Sequence, residues 1–119
     1  MTGRVDAEAR AGVVFEALAD PTRRAVLRGI AEHGPLTTTE LAATLPVTRQ
    51  AVAKHLSVLQ GAGLVAPTRH GRETHFTATP GPLVEAGAWL ARAGEAWDDR
   101  LARLAARERD RPRPDRGGS

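Results

Sequence analysis

Two short helices are predicted in the middle of the sequence, and they constrain the fold more than any other feature. Thr37 precedes Glu40 by three residues, which is the spacing of a capping box at a helix start. A proline ends this first helix after about two turns. Thr48 then caps a second helix that ends at Gly61 or Gly63, because glycine readily adopts the left-handed conformation of a helix end. Two such helices joined by a tight turn are typical of a helix-turn-helix.

The second of these helices has two chemically different sides. Val52 and Leu59 lie on an apolar side, whereas the opposite arc of about 140° is polar and contains no acid. An α-helix fits the DNA major groove, where Arg and Gln in the first turn can each form two hydrogen bonds with a base. Lys and Ser further along suit phosphate oxygens. The predicted DNA contacts on this helix and its cap are Thr48, Arg49, Gln50, Ala53, Lys54 and Ser57.

After Gly63 the pattern changes from helical to extended. The stretches LVAPTRH and ETHFTAT are rich in Val, Thr and Phe and flank a turn at residues 70–72, which predicts a two-stranded hairpin. Pro67 has no N–H donor, so its strand is expected at an edge. Arg69 and Arg72 are predicted to contact DNA along its backbone or in a minor groove. A merely solvated turn is the alternative for Arg72.

The distribution of charges along the chain indicates the kind of binding partner better than the net charge does. The chain carries 17 basic and 14 acidic residues, a net charge of only +3. Between Leu41 and Arg72, however, there is no Asp or Glu. A local basic face is expected of a protein that binds nucleic acid, although a solvated helix face also carries Arg, Gln and Lys.

The remaining segments complete a single domain. A first helix is predicted over residues 11–18, Asp20 and Pro21 begin the next, and the longest runs from Pro82 to about Arg107. We therefore predict a mainly α fold, a winged helix-turn-helix with a two-stranded β-hairpin wing and flanking N- and C-terminal dimerisation helices. The predicted organisation is a flexible N-terminus at 1–10, a DNA-binding and dimerisation domain at 11–107, and a disordered tail at 108–119.

The composition excludes several classes of function. The chain has no cysteine, which excludes disulfides, thiolate metal sites and cysteine nucleophiles. It has no phosphate-binding glycine loop, no HExxH motif and no serine in a nucleophile elbow, so we predict no catalytic residues and no enzyme activity. The N-terminus lacks the apolar segment of a signal peptide, and no run reaches the roughly 18 apolar residues of a membrane span. A cytoplasmic protein without membrane contact is expected.

Three sequence blocks resemble the ArsR family of bacterial winged-helix transcriptional regulators. They are LADPTRRAVL, TRQAVAKHLSVLQGAGLV and RHGRETHFT, within a similar region from about Val14 to Leu104. The resemblance implies a homodimer that binds a palindromic double-stranded DNA operator and represses transcription, often of its own or an adjacent operon. It also implies that the first and last helices form the dimer interface. The LADPTRRAVL block is similar to the branch often encoded beside small START-like proteins.

The apolar pattern of the last helix agrees with a dimer. Apolar residues recur there at alternating steps of three and four over about six turns, which is longer than one small winged domain can cover. A two-fold pairing would bury this stripe together with apolar residues of the first helix. The stripe consists of Leu83, Ala86, Leu90, Ala93, Trp97, Leu101 and Leu104. The predicted interface comprises Val14, Phe15, Leu18, Leu83, Leu90, Trp97 and Leu101.

The metal-binding residues of this family are missing. Its metal sensors use cysteines on the first helix of the helix-turn-helix, or Asp and His on the last helix. Here the first of these segments is ELAATL, and the last helix contains no histidine. Carboxylates alone make a poor transition-metal site. We therefore predict no metal site and no cofactor, and we interpret the acids of the last helix as a solvated face.

The four histidines are interpreted separately. His33 lies in the last turn of its helix, where a cation is favoured. His55 matches a histidine common in the family and is expected to pack on the inner side of the recognition helix. His70 and His75 flank the hairpin turn and would approach each other across the strands, but two ligands do not close a zinc site.

Two alternatives remain open. One is a ligand-responsive sensor of the same family, with a small-molecule site at the dimer seam walled by Trp89 and Trp97. The other is a winged-helix protein-interaction module that does not bind DNA, which the acid-free basic face disfavours. The sequence identifies no operator, regulated gene or effector, and it does not separate repression from activation.

Overall fold

Residues 3–110 form five helices and one hairpin. The structure is a computed structural model that describes the backbone of residues 3–110 and the side chains of residues 6–110. The predicted winged helix-turn-helix with its two-stranded hairpin is confirmed, whereas a dimerisation role of the outer helices remains a prediction. In chain order the elements are α1 (Gly3–Ala17), α2 (Pro21–His33), α3 (Thr38–Thr44), α4 (Arg49–Gly61), β1 (Val65–His70), β2 (Glu73–Ala78) and α5 (Gly81–Asp110).

The helix ends form at the residues that the sequence indicates. The Asp20 carboxylate caps α2 by accepting hydrogen bonds from the backbone N–H groups of Thr22 at 2.7 Å and Arg23 at 3.2 Å. The capping box of α3 is complete, with the Thr37 N–H donating to Glu40 Oε1 at 2.9 Å and the Glu40 N–H donating to Thr37 Oγ1 at 3.1 Å. These bonds satisfy N–H groups that a helix start leaves unpaired.

The two capping carboxylates should make stability depend on acid pH. The backbone N–H of Arg23 lowers the pKa of Asp20, and that of Thr37 lowers the pKa of Glu40. Because each folded-state pKa lies below its unfolded value, the stabilisation is complete above the ordinary carboxyl pKa of about 4. It is lost as the pH falls through the folded-state pKa.

Asp20→Asn keeps a capping side chain but removes the charge. As the pH falls below the ordinary carboxyl pKa of about 4, we expect the free energy of unfolding to fall less steeply in the variant than in the wild type. Urea unfolding across the acid range measures this difference, and identical pH profiles in the two proteins would contradict it.

The first helix begins earlier than predicted. α1 starts at Gly3 rather than Ala11, so most of the segment predicted to be flexible belongs to a helix. The reason is composition: the segment DAEAR consists mainly of strong helix formers and has Asp6 in the first turn, but it lacks the apolar periodicity on which the prediction relied. At the other end α5 continues to Asp110, and the rest of the predicted disordered tail lies outside the described residues.

The chain divides into two compact units, the first ending at Trp89 and the second beginning at Leu90. The core belongs to the first unit, where α2, α3 and α4 pack together through side chains that are at most 1% exposed. The second unit contains the rest of α5, and the large apolar side chains of this part of the helix are about half exposed. None of the helices within residues 3–110 combines the length and hydropathy needed to cross a membrane. The fully buried side chains of α2 to α4 are Val26, Ile30, Leu41, Val52, Leu56 and Leu59.

One predicted interface residue belongs to the protomer's own core. Val14 of α1 is 2% exposed and packs in the central cluster, so it has no surface to offer a partner. Helical spacing identified the apolar side of α1 correctly but not what covers that side. The neighbouring Val13 is instead 50% exposed, and Phe15 and Leu18 are half-buried.

The hairpin is joined to the helices by a bridge that the sequence did not predict. The strands pair antiparallel, and the turn places Gly71 at a φ of 63°, a conformation that favours glycine. Both backbone groups of Phe76 bond to Leu36, with N···O distances of 2.8 and 3.2 Å. Since these groups point away from β1, the missing N–H of Pro67 opposite Phe76 leaves the ladder intact.

Candidate nucleic-acid interface

The recognition helix α4 presents a polar face to solvent. Val52, Leu56 and Leu59 are at most 1% exposed and anchor the helix against the core. The opposite face contains the predicted DNA contacts, and every one of them on α4 is exposed. His55 lies between the two faces and is half-buried, in agreement with its expected inner position. The exposed polar face consists of Arg49, Gln50, Ala53, Lys54, Ser57 and Gln60.

The start of α4 is fixed by its cap. Thr48 Oγ1 accepts a hydrogen bond from the backbone N–H of Ala51 at 3.1 Å. The hydroxyl predicted to contact DNA is therefore already engaged in capping. The cap makes Arg49 and Gln50 the first two residues of the helix, so both lie in its first turn as predicted.

A polar cleft brings Arg49 and Arg72 together. The cleft has a volume of about 260 Å³ and lies between the start of α3, the start of α4 and the hairpin turn. No sequence pattern indicates the threonines of this cleft, because only the packing of α3 brings the run TTT beside the wing. The lining residues are Thr37, Thr38, Thr39, Arg49, Arg72, Glu73 and Thr74.

The arginines and the lysine of this surface have no carboxylate partner among the described side chains. Among residues 6–110, no carboxylate lies within ion-pair distance of Arg49, Lys54 or Arg72. Glu73 lines the same cleft, but its Oε1 atom lies 3.3 Å from His75 Nε2. An exposed arginine pair without a carboxylate partner is suited to bind phosphate oxygens, which guanidinium groups bind through two parallel hydrogen bonds.

The structure does not bring every predicted residue into the cleft. Arg69 is exposed on β1, opposite Thr74, and it does not line the cleft. Gln50, Lys54 and Ser57 extend along α4 beyond it. The surface therefore has two parts, a cleft with two arginines and a polar helix face.

The wing histidines meet but do not form a metal centre. The rings of His70 and His75 have centroids 4.9 Å apart in an edge-to-face arrangement. Within the described part of the chain, no three His, Asp or Glu side chains are grouped so that they could hold a metal ion. His33 is exposed at the end of α2, where the helix dipole favours a cation.

Comparisons with known proteins agree with this arrangement. A family model described as a helix-turn-helix domain matches residues 18–68. The uncharacterised HTH-type transcriptional regulator YuzN of Bacillus subtilis (strain 168) is 45% identical in an alignment of 78 positions that covers 60% of this chain and 78% of YuzN. The arsenical resistance operon repressor of Escherichia coli (strain K12) is 29% identical over 85 residues, which are 71% of this chain and 69% of the repressor.

A solved structure extends the similarity over most of the chain. The ArsR-like transcriptional regulator from Rhodococcus sp. RHA1 superimposes with a TM-score of 0.75 at 38% identity, and the match covers 89% of this chain and 97% of that one. These relatives are transcriptional regulators, and the protein is a DNA-binding transcriptional regulator. The chain belongs to the ArsR family of winged helix-turn-helix transcriptional regulators.

Proposed function

We propose that the protein binds a palindromic DNA operator as a homodimer and represses its own or an adjacent operon. The observation that supports this most strongly is the exposed, acid-free face of α4, which begins at the cleft shared with the wing. An acid on this face would repel phosphates and cost affinity. The name of the Escherichia coli relative, a repressor, favours repression over activation.

The two parts of the surface have different roles in this proposal. Gln50 and Ala53 face the base edges in the major groove, where a glutamine can pair with adenine through two hydrogen bonds. Lys54 and Ser57 bind phosphate oxygens along the groove. Arg72 lies at the hairpin turn and contacts the backbone or an adjacent minor groove.

The apolar side chains of α5 support the homodimer. Leu90, Trp97 and Leu101 are 53%, 58% and 55% exposed in the protomer. Large apolar side chains at helical spacing are expected to be buried by a partner surface. A two-fold pairing places the same residues on both sides of the interface and gives the operator its symmetry.

A ligand-responsive sensor with a small-molecule site walled by Trp89 and Trp97 has less support than the operator-binding repressor. Trp89 packs on Phe15 within the protomer, with ring centroids 5.8 Å apart. Trp97 is exposed, and the Arg100 guanidinium lies 5.3 Å from its ring centroid. Trp89 is therefore engaged within the protomer, whereas Trp97 remains exposed. A groove of about 450 Å³ between α2 and α3, lined in part by Gly29 and Leu45, has the volume of a small-ligand pocket.

Sequencing of genomic DNA fragments captured by the purified protein tests the proposed function. We expect an enriched inverted repeat with half-site centres about 10 base pairs apart, the spacing of one DNA turn. It should lie upstream of the protein's own gene or of a neighbouring gene. Enrichment of unrelated fragments, or of a single half-site, would contradict the palindromic operator.

Lys54→Ala should weaken binding to all DNA sequences alike. Lys54 is exposed near the middle of the α4 face and is expected to neutralise one phosphate. Removing one such contact lowers the slope of log affinity against log salt concentration by about 1. Titrations by fluorescence anisotropy at several salt concentrations measure this slope.

Arg28→Ala is the matched control, because Arg28 is an exposed cation on α2 outside the predicted surface. It should leave both affinity and slope unchanged. A slope that falls equally in both variants would show that net charge, rather than a phosphate contact at Lys54, is responsible.

A further inference from the structure

Two arginines of α2 bind the end of α1. A helix leaves its last carbonyl groups without intrahelical partners. Here the carbonyls of the last two residues of α1 and of the two residues that follow it each accept a hydrogen bond from a guanidinium group. Arg23 donates from Nε to the Ala17 carbonyl at 2.6 Å and from Nη2 to the Glu16 carbonyl at 3.4 Å. Arg24 donates from Nη1 to the Leu18 carbonyl at 2.6 Å and to the Ala19 carbonyl at 3.3 Å.

Arg23 is held in place and has little capacity for other ligands. The Arg23 side chain is only 19% exposed, and its Nη1 lies 3.9 Å from Asp20 Oδ2. The same Asp20 caps α2 through the Arg23 backbone N–H. A positive charge at a helix C-terminus is also favoured by the helix dipole. Arg23 and Arg24 therefore join the end of α1 to the beginning of α2.

This junction lies between the recognition helix and α1, whose Phe15 belongs to the proposed dimer interface. α2 packs against α4 in the core through Val26 and Ile30. α1 meets the beginning of α5 through an ion pair of 3.5 Å between Arg10 and Glu85 and through the packing of Phe15 on Trp89. α1 is thus held on the core by buried side chains such as Val14, and its end is held on α2 by the two arginines.

We infer that Arg23 and Arg24 are positioning residues that determine which half-site spacing the dimer accepts. The inference rests on the proposed function, in which α1 contributes to the two-fold interface. If α1 changed its direction on α2, the two copies of α4 would no longer lie one DNA turn apart. Neither arginine contacts DNA in this arrangement, although both are cations in a DNA-binding protein.

The test uses Arg23→Lys combined with Arg24→Lys. Lysine keeps both positive charges but lacks the planar fork that bonds two carbonyls at once. Affinities are measured for the operator and for versions with one base pair added or removed between the half-sites. We expect the variant to remain a dimer with the wild-type salt dependence. Its preference for the native spacing should fall by about tenfold, equivalent to about one hydrogen bond.

The controls separate this role from DNA contact and from folding. Arg28→Lys, one turn further along α2, should keep the wild-type spacing preference. If the double variant does not fold, Arg24→Lys alone is compared, because Arg24 is exposed and its loss disturbs less of the packing. It should then show a smaller loss of spacing preference in the same direction.

Two results would overturn this inference without affecting the proposed function. In the first, a lysine variant keeps the full spacing preference. In the second, it loses affinity equally at all spacings with a lower salt slope, which is the result expected of a phosphate contact. A wild-type protein that is not a dimer on its operator would overturn the proposed function, and this inference with it.

Discussion

Replacing Leu90 and Trp97 together by glutamate should convert the protein into a monomer that no longer recognises its operator. Both side chains are more than half exposed in the protomer, so their replacement leaves its core intact. In the dimer, four buried carboxylates without partners would oppose association. Light scattering should report the protomer mass, and circular dichroism should report an unchanged helix content.

Operator affinity should then fall to the non-specific level, about 10⁻⁴–10⁻⁶ M at physiological salt. A single helix-turn-helix contacts only one half-site, and most of the specific affinity requires two half-sites bound at once. Ala88→Glu with Ala102→Glu is the control, because it adds the same charges at exposed positions of α5 outside the apolar stripe. A monomeric double variant that bound the full palindrome with wild-type affinity would refute the dimer mechanism.

The sequence predicted the features that depend on neighbouring residues. Asp20, Thr37 and Thr48 are predicted as caps from their residue type and position, since a cap bonds to an N–H only two or three residues away. The structure contains all three of these bonds. Helical periodicity also depends only on residues close together in the sequence, and it correctly predicts the exposed face of α4. Local chemistry thus identified the helix-turn-helix and the side that it presents to solvent.

Features that depend on packing were not predicted. Periodicity placed Val14 on an apolar side of α1, but only the fold shows that this side is covered within the protomer. The bridge between Leu36 and Phe76 involves a single extended residue, which leaves no pattern in the sequence. The partners of Arg23 and Arg24 lie five to seven residues back along the chain, across the turn between α1 and α2, where helical spacing does not apply.

Arg49→Ala and Gln50→Ala should each reduce operator affinity by about 1–3 kcal/mol, the range expected for a side chain that forms two hydrogen bonds with a base. The two residues are adjacent and exposed in the first turn of α4, but only Arg49 lines the cleft that contains Arg72. We therefore expect Gln50 to contact the base edges of the major groove. We expect Arg49 to contact either a base or a backbone phosphate bound at the cleft.

Binding of each variant to a library of operators with single base changes distinguishes these roles. Replacing a residue that contacts a base removes discrimination at one position per half-site and leaves the salt slope unchanged. Replacing a residue that contacts a phosphate lowers the affinity for operator and random DNA equally. Gln60→Ala, at the opposite end of the same exposed face, is the matched control and should retain both affinity and discrimination. We expect Gln50→Ala to lose discrimination at one base pair. If Arg49→Ala weakens operator and random DNA to the same extent, Arg49 binds the phosphate from the cleft, and base recognition depends on Gln50 and the residues that follow it on α4.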